Sequence, residues 1–191
     1  MSVGLLVQAL ALHATSTLRP RQLANRRFPQ PAATVAAAKA GWLAGTVLVG
    51  ASGALVVVPN LEPWYQDIVK PSWAPPNNVF APVWTTLYLL LGAAAAATFG
   101  AAPLAQPRAL TAFAGQAVLN VLWAPVFFGM HALGAAFYVS IALLLAALAT
   151  AVEMGRAAGL ATGALLVPYV VWLTYATVLN WRLWRLNPKA A

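Results

Sequence analysis

An all-α integral membrane protein, a five-transmembrane-helix bundle with a long first loop, is the fold class this sequence predicts. Three observations predict it. The 191 residues are 62% hydrophobic and only 7% charged, where a soluble domain carries about 25% charged residues. Five segments approach or reach the roughly 20 apolar residues that a helix needs to cross hydrocarbon, and none of them holds a charge. The gaps are short and punctuated by Pro103, Pro107, Gly129, Gly155 and Gly159, except the first, which follows Pro59. Short links favour antiparallel neighbours, so a bundle is the economical packing.

The segments run Gly41–Val58, Val79–Phe99, Ala109–Phe128, Leu133–Val152 and Leu160–Leu179. Pro168 interrupts the last and predicts a kink. Gly41 with Gly45, Gly92 with Ala96, and Gly159 with Gly163 have the small-xxx-small spacing that lets helix backbones approach closely. Packing is the expected use of these pairs, with a homodimer as a further expectation. The long connection, Lys70-Pro-Ser-Trp-Ala-Pro-Pro-Asn-Asn, cannot be ordinary helix, because proline fixes φ and removes donors. Pro71, Trp73, Pro75 and Pro76 are expected to shape it.

Three regions follow: a basic N-terminal extension over 1–38, the membrane domain over 39–187 and a short tail over 188–191. The extension carries Arg19, Arg21, Arg26 and Arg27 among Ala, Ser, Thr and Pro, without an acid. That composition reads as a transit peptide or as a disordered extension. An organellar membrane, mitochondrial outer or plastid, is therefore expected, with an endomembrane as the alternative. Orientation is weakly specified. Lys70, Arg182, Arg185 and Lys189 outweigh Arg108 and Arg156, which puts the first loop and the C-terminus in the cytosol. Counting the extension reverses the sign.

Composition also excludes. The net charge of +8 arises from only three acids, Glu62, Asp67 and Glu153, and the bases flank apolar runs. They read as membrane-edge residues, not as a nucleic-acid surface. There is no cysteine, and the histidines, His13 and His131, lie far apart, so no metal ligand set is expected. Paired-carboxylate catalysis is equally undersupplied.

Three aromatic groups stand out. Trp64, Tyr65, Phe80, Trp84 and Tyr88 lie in the long loop and the second segment; Trp84 and Tyr88 share a helix face. Asn120 and Trp123 lie in the third, where an unpaired amide is costly. Asn120 is satisfied either by another helix or by a ligand. Tyr169, Trp172, Tyr175, Ala176 and Leu179 line the fifth. Aromatic faces on three helices with almost no charge describe a site for a flat apolar ligand.

The pattern Trp64-Tyr65, Lys70-Pro71-Ser72-Trp73-x-Pro75-Pro76, Phe80-x-Pro82-Val83-Trp84-x-x-Leu87-Tyr88 resembles the TspO/MBR family. Leu119-Asn120-x-x-Trp123-x-Pro125-x-Phe127-Phe128-Gly129 is similar to its third-helix signature, and Pro168-Tyr169-x-x-Trp172-x-x-x-Ala176-Thr177-Val178-Leu179-Asn180 to its fifth. The resemblance implies a receptor or carrier that binds tetrapyrroles, porphyrin or haem, in an intrabundle pocket, with a role in tetrapyrrole homeostasis or stress response. Haem or protoporphyrin IX would be a ligand and not an obligatory cofactor. It implies as alternatives a light-dependent porphyrin-degrading enzyme, using Trp84 and Trp172, or a sterol or lipid transport protein. The pocket positions it implies are Ala54, Val57, Trp64, Tyr65, Phe80, Ala81, Trp84, Asn120, Trp123, Trp172, Ala176 and Leu179. Two departures bear on this. The tyrosine of the animal sterol motif is replaced by Trp181, and the fourth helix reads Ala135-Ala136-Phe137-Tyr138-Val139 without the animal tryptophan and aspartate.

Overall fold

The structure, a computed structural model, describes residues 31–60, 64–101 and 103–188. Of the basic extension over 1–38, residues 1–30 lie outside the described residues, as does the tail beyond 188. Among the described residues, the regular structure is entirely helical, and five helical stretches are long and apolar enough to cross a membrane. They are Ala32–Asn60, Asn77–Phe99, Pro107–Gly129, Leu133–Ala158 and Leu160–Leu186, called here the first to fifth spans.

Most spans outrun the apolar segments of the sequence. The first begins at Ala32, since the run Ala32-Ala-Thr-Val-Ala-Ala-Ala-Lys-Ala40 favours helix even where Lys39 lowers its hydropathy. The fourth continues past Val152 through Glu153 and Arg156, which pair one turn apart at 2.6 Å. The fifth runs on to Leu186.

Breaks fall where the backbone loses donors or side chains. Gly53 separates Ala32–Ser52 from Ala54–Asn60 within the first span. At Pro125 the third span widens into a π-turn over Pro125–Gly129, closed by Met130 N donating to Pro125 O at 2.8 Å. The kink expected at Pro168 is a full break between Leu160–Ala164 and Val167–Leu186. Proline can neither donate to residue 164 nor clear its carbonyl.

The first span packs mainly on the second, and the fourth on both third and fifth. Of the three small-residue pairs, two serve packing. A Cβ on Gly92 would stand 3.1 Å from the Leu43 carbonyl oxygen, so the first two spans meet there. Gly163 sits against Gly155 and the Ala151 carbonyl, bringing the fourth and fifth spans together below Gly159 (φ +98°). Gly41 and Gly45 break the expectation: a Cβ on either meets nothing within 4 Å.

Two apolar cores result. One gathers Leu91, Phe99, Phe113, Leu143, Met154 and Leu173, with Trp84 and Trp172 at its edge. The other, on the side of the long loop, gathers Tyr65, Ile68, Phe127, Phe128, Leu133 and Leu183. No charged side chain is buried among the described residues.

Candidate functional site

Most of the sequence-predicted site residues belong to one or the other of these cores. Trp84 and Trp172 belong to the edge of the first; Val57, Trp64, Tyr65, Phe80, Trp123 and Leu179 belong to the second. Phe80 bridges them, its ring 6.1 Å from that of Trp172 and nearly perpendicular to it. Trp84 meets Trp172 edge to face, 6.5 Å apart at 88°, and stacks on Tyr88 at 5.4 Å. Ala176 is half-buried on the same helix as Trp172, whereas Ala54 and Ala81 are exposed.

The second aromatic group is tighter. Trp123 stacks on Phe127 at 4.8 Å, and Trp64 touches both Phe127 and Phe128. The Trp123 indole donates to Asn180 Oδ1 at 3.1 Å, while Asn180 Nδ2 donates to the Leu133 carbonyl at 2.9 Å. His131 stacks on Trp64, rings 8° from parallel and 4.1 Å apart. Its backbone is left-handed (φ +56°), a region in which His is enriched among non-glycine residues. Burial pushes the Tyr65 phenol up to about 12, with Tyr175 adding to it, so the phenol stays neutral.

Asn120 is satisfied by its neighbours. Tyr88 Oη donates to Asn120 Oδ1 at 3.1 Å, Asn120 Nδ2 donates to Tyr169 Oη at 3.0 Å, and Tyr169 Oη donates to Gln116 Oε1 at 3.0 Å. Interhelical bonding thus holds together the second, third and fifth spans. Two buried nitrogens have no partner among the described residues: Trp172 Nε1 and His131 Nε2.

The Pro-rich loop is fastened to the fifth span at two places. Tyr175 Oη donates to the Trp73 carbonyl at 3.2 Å, with the rings 5.8 Å apart. Asn187 forms a reciprocal pair with Val69, accepting from its N–H and donating to its carbonyl, both at 2.9 Å. Lys70 closes the short helix Trp64–Asp67, its ammonium donating to the Gln66 carbonyl at 3.1 Å and lying 4.7 Å over the Tyr65 ring. Burial lowers the Lys70 pKa, opposed by Asp67. Pro71 and Pro76 accept the turn bonds from Ala74 and Val79. Trp73 itself is exposed and Pro75 half-buried. Asn187→Ala should release the C-terminal fastening and leave the bundle intact. Faster proteolysis within 68–76 at unchanged thermal stability is the expected readout.

Residues beyond the predicted set also matter. Asn187 carried no sequence signal, because its partner is backbone. Gln116 did carry one, as a second amide beside Asn120 in the apolar third span. It lines a cavity of about 300 Å³ between the first, second and third spans, with Trp42, Phe113 and Asn120. Asn120 alone among the predicted pocket residues reaches this cavity. On the fourth span, Phe137 and Tyr138 turn to Trp184 of the fifth, with ring contacts at 5.8 and 6.1 Å.

Fold and site together define a multi-pass helical membrane protein with an aromatic, uncharged interior. Comparison with known proteins places it further: the TspO/MBR family profile matches residues 42–185, and the chain belongs to this family. It is 40% identical to the protein CrtK of Rhodobacter capsulatus over 141 residues, 73% of this chain and 86% of that protein. It is 40% identical to the tryptophan-rich sensory protein of Cereibacter sphaeroides over 126 residues, 66% of this chain and 78% of that one. The human translocator protein is 38% identical over 127 residues, 65% of this chain and 75% of its own length. Membership supports a membrane receptor or transport role.

Proposed function

We propose that the chain is a membrane receptor or carrier for tetrapyrroles, held at the seam between Phe80, Trp84 and Trp172 beneath the Pro-rich loop. The observation that carries this reading is the Trp172 indole nitrogen, buried at the seam without an acceptor. An unmade hydrogen bond there costs about 1–3 kcal/mol, and a ligand oxygen or ring nitrogen would recover it. The surrounding rings supply stacking surface. Sequence supplies the second support, through the family to which the chain belongs.

Free porphyrin should bind about as well as haem, because stacking and not axial ligation would hold the ring. Titration of the purified protein by tryptophan quenching tests this. Haem binding far more tightly than porphyrin, with a histidine-type spectrum lost in His131→Ala, would overturn it, since His131 Nε2 is buried and free beside Trp64.

Light-dependent porphyrin breakdown is a second reading, favoured by one observation. Trp84 lies in ring contact with Trp172, Tyr88 and Tyr169, a cluster of oxidisable side chains. Illumination of porphyrin with and without the protein separates the two: breakdown that proceeds equally without protein leaves only the binding role. We also propose an organellar membrane, on the acid-free basic stretch before residue 39. Subcellular fractionation checks it.

A further inference from the structure

The cavity between the first, second and third spans is separate from the aromatic seam. We infer that it is a second binding site, for an uncharged, carbonyl-bearing lipid that enters from the bilayer and places its carbonyl against Gln116. Four observations converge. The volume, about 300 Å³, is at the lower end of small-ligand sites. Its lining holds no charged residue, so an ion is not its ligand.

Gln116 is the third observation. Its side chain is buried, with 1% of the residue exposed, yet it lines the cavity. A directed chain of hydrogen bonds runs from Tyr88 through Asn120 and Tyr169 to Gln116 Oε1. Every bond in that chain donates towards Gln116, whose oxygen is thereby taken and polarised. Its amide N–H groups have no acceptor among the described residues, and the residue lines the cavity. They select a ligand acceptor, and among neutral lipids the carbonyl of an ester or of a ring ketone supplies one.

The fourth observation is the mouth. Gly41 and Gly45 line the cavity, are exposed, and have room for a side chain within 4 Å. Over Ala32–Ser52 the first span packs far more closely on the second than on the third, so the looser seam, between first and third, is where a lipid would enter. Trp42 and Phe113, edge to face at 5.9 Å, form an aromatic wall.

Equilibrium binding to the full chain in detergent micelles tests the inference, with three radiolabelled probes: monooleoylglycerol (ester carbonyl), decylubiquinone (ring carbonyl) and hexadecane (none). Saturable binding of one of the first two at one per chain is expected, with hexadecane only partitioning. The better binder identifies the source of the carbonyl. Gly45→Leu puts a side chain into the cavity from a position where a Cβ meets nothing within 4 Å, and should weaken binding at least tenfold. Gln116→Met, which removes the donor at similar size, should weaken it about three- to tenfold, as for one hydrogen bond. Unfolding temperature and elution volume confirm that each variant folds. Non-saturable uptake of all three probes, or full affinity in Gly45→Leu, overturns the site. Loss of self-association in Gly45→Leu, with no probe bound by the parent protein, overturns it in favour of a contact between copies.

Discussion

Trp172→Phe should weaken porphyrin binding about tenfold, or about 1.4 kcal/mol, while leaving the stability of the protein nearly unchanged. The two effects separate because the Trp172 nitrogen is buried without an acceptor. Removing it relieves an unmet desolvation cost of about 1–3 kcal/mol, which offsets the packing lost with the smaller ring. The same substitution at Trp123 should behave in the opposite way. That indole donates to Asn180, which is 1% exposed and itself bonded to the Leu133 carbonyl. Trp123→Phe strands the Asn180 oxygen and should cost about 2–4 kcal/mol of stability. Porphyrin quenching titrations and thermal unfolding in detergent measure both variants. Unaltered porphyrin affinity in Trp172→Phe would remove the seam from the proposed site.

Gly163→Leu should be the most damaging single substitution to the fold. A Cβ at this position stands 2.6 Å from the Ala151 carbonyl oxygen and 3.0 Å from the Gly155 Cα, both backbone atoms that no rotamer change can move. The fourth and fifth spans must then separate, at a cost of about 3 kcal/mol or more. Gly45→Leu is the matched control, since a Cβ there meets nothing within 4 Å. A large fall in unfolding temperature for Gly163→Leu beside little change for Gly45→Leu is the expected result. Equal falls would show that helix propensity and not interhelical contact governs these positions.

This pair of glycines illustrates how much was legible beforehand. Spacing predicted close packing at Gly41 and Gly45, Gly92 and Ala96, and Gly159 and Gly163 alike. Only contact geometry distinguishes them: Gly163 pairs with Gly155 across the hairpin, whereas Gly45 faces a cavity. Spacing reports what a helix face permits, and the partner is set by how neighbouring helices are arranged around it. Asn120 shows the same limit. Its burial cost demanded a partner, and the sequence left another helix or a ligand open. The answer, Tyr88 and Tyr169, lies 32 and 49 residues away.

Hydropathy by itself determined five membrane-spanning helices, because backbone polar groups in lipid must be satisfied within each helix. Proline accounted for the irregular long loop and for the break at Pro168, whereas the π-turn at Pro125 and the break at Gly53 were not read from the sequence. Tertiary structure decided the rest. It divided the aromatic residues between two cores, left one indole unpaired at the edge of the first, and bound the loop to Tyr175 and Asn187. Those outcomes depend on distances between side chains far apart in sequence. An apolar chain in lipid gains little from one helix pairing over another, so small residues and a few buried hydrogen bonds settle the arrangement.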